Sequence, residues 1–174
     1  MDTLARLQAR ADIEDCMARY ARAIDRRDWE ALRGCYHPDA TDEHGEFSGS
    51  LDDFIAWVSA RHSAVPFSSH FLGNCLVEFV DDATAKVETY FNAIQRKAAG
   101  NGQSGEIDSD VIGRYVDRFE CRDGAWKVAR RVVVYDGSRQ VPSSYRPRTT
   151  AGTLGRRDRT DPVFRPERSP GADG

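Results

Sequence analysis

At 174 residues with 40% hydrophobic composition, the chain is long enough for one good core and short for two, so one domain, with or without a tail, is expected. A net charge of −3, from 25 Lys and Arg against 28 Asp and Glu, lacks the basic excess of a nucleic-acid binder. No run approaches the roughly 18 apolar residues of a membrane span, and the four cysteines (Cys16, Cys35, Cys75, Cys121) are too widely spaced for a zinc site or a disulfide framework.

Leu4, Leu7, Ala11, Ile13, Met17, Tyr20, Ala21 and Ile24 recur at helical spacing, which predicts an N-terminal helix with one apolar stripe. Arg26-Arg27-Asp28 ends it, and Asp28 is placed to cap a second short helix with Trp29, Leu32 and Tyr36. His37-Pro38-Asp39 stops that helix, because proline disfavours helical geometry in the residue before it. A third helix is predicted from Ser50 to His62, with Ser50 as cap and Leu51, Phe54, Ile55 and Val58 on its apolar face.

After Pro66 the period changes to two. Phe71–Val80, Ala83–Gln95, Val111–Cys121 and Trp126–Tyr135 alternate and are rich in β-branched and aromatic residues, so four strands are expected. Asp81-Asp82 joins the first pair, and Asp123-Gly124 is a strong type I′ hairpin signal for the last. Ala98–Gly105 reads as a flexible loop. Helices first and antiparallel strands afterwards give an α+β class, with helices on one face of a curved sheet. The segment from Asp136 onward carries eight Arg, no Lys and five acidic residues and reads as a basic, extended tail.

The Asp-Gly turn fixes a register. Pairing Arg122 with Ala125 sets Cys121 opposite Trp126, Phe119 opposite Val128, Asp117 opposite Arg130 and Tyr115 opposite Val132, a mostly apolar and therefore inward set. Arg130 is then the inward arginine and Arg131 the outward one. Arg130 is open to two readings: a structural ion pair with Asp117, or a cation reaching into a ligand cavity beside Tyr115.

Two polar residues sit in apolar surroundings: Asp25, after Ile13–Ile24, and His70, in Phe67-Ser-Ser-His-Phe-Leu-Gly-Asn. A carboxylate that orients an imidazole is the smallest unit that makes a general base near neutral pH. His70 alone is more often a hydrogen-bonded core or rim residue than a catalyst, and Tyr20 alone is ordinary core. No two of the four histidines have metal-ligand spacing, so no metal is expected.

The run from Ile13 through Tyr20, Asp25, Asp28 and Trp29 to Leu32 resembles the opening of the SnoaL-like proteins. Tyr36-His-Pro-Asp39 and Gly113-Arg-Tyr-Val-Asp117-Arg-Phe119, followed by Asp-Gly-Ala-Trp126-Lys-Val-Ala-Arg130, are similar too. The resemblance covers residues 3–136 and implies the cone-shaped α+β barrel of the nuclear transport factor and scytalone dehydratase group, with 137–174 as an Arg/Pro-rich tail, partly ordered or docked on a neighbouring subunit.

Within that group, Tyr20, Asp25 and His70 match the arrangement of scytalone dehydratase-like enzymes and bile-acid 7α-dehydratase, and the dehydrochlorinases share the Asp–His pair. The resemblance implies a cofactor-independent dehydratase or isomerase, a lyase or isomerase acting on a hydrophobic, ring-bearing small molecule of steroid or polyketide type. His70 would be the base, Asp25 its orienting partner, Tyr20 a hydrogen-bond donor and Arg130 an anion stabiliser. Tyr115, Trp57, Phe71, Leu72, Phe91, Phe119 and Trp126 are expected to line the pocket, with Tyr90 or Asn92 in place of the second histidine that scytalone dehydratase carries on the matching strand. No cofactor, nucleic acid or membrane partner is expected. A homo-oligomer is, with a trimer favoured over a dimer. The opening Met-Asp-Thr-Leu-Ala-Arg lacks a basic-then-apolar pattern, so the expected location is cytoplasmic. The alternative is a non-catalytic binding or assembly domain like the β subunits of ring-hydroxylating dioxygenases, since this fold hosts both.

Overall fold

The computed structural model describes residues 1–99, 105–144 and 153–165, so most of the predicted loop before Gly105 and part of the tail lie outside the described residues. Asp2 opens α1 (Thr3–Arg26) by accepting the Ala5 amide at 2.8 Å. Ile13, Met17, Tyr20 and Ile24 carry its buried stripe. Arg27 closes the helix in the left-handed region, φ 54°, where its N–H donates to the Ala23 and Ile24 carbonyls. The Asp28 carboxylate accepts the Ala31 amide at 3.2 Å and starts α2 (Trp29–Gly34).

The second helix is shorter than expected, and Tyr36 is not in it. Tyr36 begins β1 (Tyr36–His44), which turns at Gly45 (φ 67°) into β2 (Phe47–Ser50). His37 and His44 both belong to β1, which pairs with β2 and, in parallel, with the distant β6. Ser50 then accepts the Asp53 amide at 3.3 Å and caps α3 (Leu51–His62), as predicted.

β3 (Phe67–Phe79), β4 (Thr84–Ala98), β5 (Glu106–Arg122) and β6 (Ala125–Pro142) form an antiparallel meander. All four outrun their predicted spans, and β6 crosses the expected domain boundary at 136. The sheet order is β2-β1-β6-β5-β4-β3, with β1 parallel to β6. The strands therefore make an open cone, not a closed barrel, and α1 and α3 fill its inner face. Tyr20, Tyr36, Phe54, Tyr115, Phe119 and Val128 meet there, each at most 2% exposed.

The Asp123-Gly124 turn has positive φ at both residues (52° and 77°), and its first pairs are Cys121 with Trp126 and Phe119 with Val128, as derived. Beyond them the expected register fails. Ala129 is an extra residue, so Arg118 pairs with Arg130, Asp117 with Arg131 and Tyr115 with Val133. Because side chains alternate, one bulged residue exchanges the faces of everything after it. Arg131 is fully buried, while Arg130 faces solvent and pairs with Glu43 at 2.7 Å.

Gly113 lets β5 lie close to its neighbour: a Cβ there would sit 2.2 Å from the Val134 carbonyl oxygen and 2.9 Å from a Phe91 ring carbon. Gly113→Ala is expected to lower stability by about 3 kcal/mol through overpacking, read as a shifted urea midpoint.

Candidate active site

Asp25 lies in the last turn of α1, and β3 carries Ser68 and His70 past it. In a strand, residues two apart share a face. Ser68, His70 and Leu72 therefore turn toward α1, and Ser69 and Phe71 turn away. The Asp25 Oδ1 accepts from the Ser68 hydroxyl at 2.9 Å and from His70 Nδ1 at 2.7 Å, while Oδ2 accepts the His70 backbone N–H at 2.8 Å.

Three donors converge on one carboxylate. Burial alone would raise the Asp25 pKa, but the His70 ring, the His70 backbone and the Ser68 hydroxyl outweigh it and hold the carboxyl below its ordinary range. A carboxylate can only accept, so the His70 ring proton sits on Nδ1 and the neutral ring presents its lone pair at Nε2. Among the described residues, no group bonds Nε2. The His70 and Asp25 side chains are 8% and 11% exposed.

The pair borders a groove of about 420 Å³ on the α1–β3 seam, lined also by Ala18, Ala21, Arg22 and Leu72. A neighbouring hollow of about 330 Å³ shares Ala18 and Leu72 and extends the groove past Met17 and Cys75. Together they present a channel with apolar walls at Ala18, Ala21 and Leu72, one imidazole at its side, two guanidiniums, Arg22 and Arg26, and the Glu14 carboxylate.

Of the residues expected in the site, the structure brings Asp25, His70 and Leu72 to this groove. Tyr20 is 1% exposed and points into the cone, where the Arg131 guanidinium lies 4.0 Å from its ring centroid. Burial pushes its phenol well above the ordinary range. Tyr115 stacks on Phe91 at 4.5 Å, and Phe119 and Trp126 belong to the same core. Trp57 packs with Phe47, Phe54 and His44 under α3. Phe71, Tyr90 and Asn92 project from the outer face of the sheet, with Phe71 74% exposed. Arg130 is on the surface, so the cationic part expected of it is open to Arg22.

Sequence reasoning missed Ser68 and Arg22. The signal for them was present. Ser68 and Leu72 are the two-residue neighbours of His70, and Arg22 and Ala18 lie one and two helical turns before Asp25.

Behind Asp25, His62 ends α3 and is 3% exposed. Its Nδ1 accepts from Arg157 at 2.9 Å, and its Nε2 lies 3.3 Å from the Gln95 side-chain amide. Burial, then the Arg157 charge, lowers its pKa to about 3. An unfolded histidine takes up its proton near pH 6.5, so stability falls as pH drops from there toward the lower folded value. His62→Gln is expected to remove about 1.4 kcal/mol per pH unit from the stability slope around pH 5, checked by urea melts across pH.

The SnoaL-like domain profile matches residues 5–132. No curated protein matches the chain in sequence. A scytalone dehydratase-like protein of Novosphingobium aromaticivorans superposes with TM-score 0.70 at 22% identity, covering 95% of this chain and 100% of its own. A hexachlorocyclohexane dehydrochlorinase, LinA-type3 of Novosphingobium barchaimii, gives 0.70 at 20% identity over 84% and 99%. A β-subunit-like protein of an aromatic-ring-hydroxylating dioxygenase, also from N. aromaticivorans, gives 0.58 at 20% identity over 76% and 92%. At these identities the likeness is one of fold.

Proposed function

This chain belongs to the SnoaL-like domain family, and we propose that within it the protein is a cofactor-independent lyase or isomerase using His70 as general base. The observation that carries the reading is the 2.7 Å contact from Asp25 to His70 Nδ1 beside a groove of about 420 Å³. That volume lies within the roughly 300–1,000 Å³ typical of small-molecule sites. Its apolar walls suit a hydrophobic, ring-bearing substrate.

In the proposed step, a proton on a carbon next to a carbonyl or similar activating group moves to Nε2. The electron pair it leaves forms a carbon–carbon double bond as a hydroxyl or halide departs from the adjacent carbon. In an isomerisation, the proton returns at a different carbon instead. Asp25 holds the tautomer and stabilises the imidazolium, and Arg22 supplies positive charge for the developing oxyanion. The fold neighbours include a dehydratase-like protein and a dehydrochlorinase, which is the chemistry this base would perform.

The binding or assembly reading draws on a different observation. The interior of the cone holds Tyr20, Tyr115 and Arg131 instead of an open chamber, while Phe71, Tyr90 and Ile112 stand on the outer face of the sheet. A panel of hydroxylated and halogenated ring ketones, steroids and polyketides in D₂O, followed by mass spectrometry, separates the two. Loss of water or halide, or deuterium uptake, is expected with wild type and absent with His70→Gln. Identical traces for both proteins across the panel would favour the binding reading.

A further inference from the structure

The basic tail returns to the candidate site from behind. Arg157 donates from Nε to the Asp25 carbonyl at 2.9 Å, from Nη2 to the Ile24 carbonyl at 2.9 Å and from Nη1 to the Val65 carbonyl at 2.5 Å. A fourth bond runs from Nη2 to His62 Nδ1. One guanidinium thus ties the end of α1, the end of α3 and the approach to β3. Burial and the nearby Arg27 charge lower the Arg157 pKa only to about 10, so it is charged at neutral pH.

The Ile24 and Asp25 carbonyls belong to the last turn of α1, where backbone acceptors lack the regular i+4 helical donor and the helix dipole is negative. A cation there is favourable at any helix end. What is specific here is the residue whose carbonyl it takes. Asp25 is held through its backbone by the tail and through its carboxylate by His70 and Ser68. Flanking contacts keep the tail seated: Arg159 pairs with Asp28 at 3.0 Å, and Asp161 pairs with Arg26 at 3.1 Å while accepting the Arg156 amide at 2.8 Å. The tail also closes a hollow of about 530 Å³, bounded by Asp25 and Ser68 on one side and by Leu154, Gly155 and Arg157 on the other.

We propose that Arg157 is a positioning residue for the Asp25–His70 pair, so that the geometry of the base depends on the tail as well as on α1 and β3. The inference rests on the reading of that pair as a base, but its test does not require a substrate. In full-length protein, the proton on His70 Nδ1 is followed by NMR as a downfield resonance, and its exchange with solvent is timed.

Arg157→Lys and Arg157→Ala are expected to speed that exchange by about tenfold or more while the fold persists. Methylguanidinium added to Arg157→Ala should restore the slow exchange. Arg159→Ala, which loosens the tail without touching Asp25, should leave it slow. Wild-type exchange in folded Arg157 variants, or equal acceleration in Arg159→Ala, would overturn the proposal. So would unfolding of both Arg157 variants, since Arg157 would then be a structural cap alone. Slow exchange that depends on Arg157, with no turnover on any substrate, would sink the enzymatic reading and leave the positioning intact.

Discussion

Asp25→Asn is expected to lower turnover about 10²–10⁴-fold in a chain that still folds. The wild-type carboxylate receives three hydrogen bonds, from His70 Nδ1, the His70 backbone N–H and the Ser68 hydroxyl. An amide has one acceptor oxygen and one donor nitrogen. Whichever way it is placed, one of those donors faces an N–H. The backbone N–H cannot reorient, so the amide oxygen takes it and the amide nitrogen faces Nδ1; the imidazole relieves that clash by moving its proton to Nε2, which can then no longer take a proton from substrate. The check is the rate of product formation for the two proteins on one turned-over substrate, with near-UV circular dichroism to show intact packing. A loss below tenfold would mean that Asp25 does not set the tautomer. The stability change should be smaller, about 1–3 kcal/mol for a buried polar group left unsatisfied. Because the Asp25 pKa is depressed in the fold, its stabilisation is present above the ordinary carboxylate range and is lost as pH falls through the folded value.

The largest stability effect is expected from breaking the ion pair inside the cone. Arg131 and Asp117 are at most 2% exposed. Two guanidinium nitrogens of Arg131 donate to the two Asp117 oxygens, at 2.8 and 2.7 Å, while Nη1 donates to the Tyr36 hydroxyl at 3.1 Å. The cation also lies between the rings of Tyr20 and Tyr115, at 4.0 and 4.3 Å from their centroids. Burial pushes the Asp117 carboxyl up, while the adjacent Arg131 cation, donating to both its oxygens, favours the carboxylate. Arg131→Met removes one charge and strands the other in an apolar interior, at a cost of about 3–5 kcal/mol. Arg131→Met combined with Asp117→Leu removes both and should recover most of that loss. Urea melts of the wild type, Arg131→Met, Asp117→Leu and the double variant form the cycle. Additive losses would show that the pair is not coupled, and that Arg131 is held by the tyrosines alone.

Much of this architecture was legible in the residues, and its failures have identifiable causes. α1 declares itself through the stripe of Ile13, Met17, Tyr20 and Ile24 and a charged break. The last hairpin follows from Asp123-Gly124, because few other pairs tolerate positive φ at both positions. β1 was not legible. Its Tyr-His-Pro-Asp opening and its acids read as loop, and only its pairing with β2 and with the distant β6 makes it a strand. The bulge at Ala129 was not legible either, since neither Gly nor Pro marks it, and its consequence was to exchange Arg130 with Arg131. Asp25 and His70 could be named, but their surroundings could not be listed by aromatic content. Phe71, Tyr90 and Asn92 look like lining until the alternation from His70 is followed, which puts Phe71 on the opposite face.

The position of β6 within the sheet has a consequence for how the chain is made. Synthesis produces β1 and β2 early and β6 last of all the strands, yet β6 lies between β1 and β5. Until residues from Ala125 onward have left the ribosome, the sheet can exist only as two separate pieces, a short hairpin and a three-stranded meander, each with an open backbone edge facing a gap one strand wide. Distant contacts close slowly because the intervening chain must first be ordered. A nascent chain paused before β6 would therefore present two complementary edges for other strands to join. For this protein, the hazard of mispairing lasts until β6 emerges, and that single strand ends it.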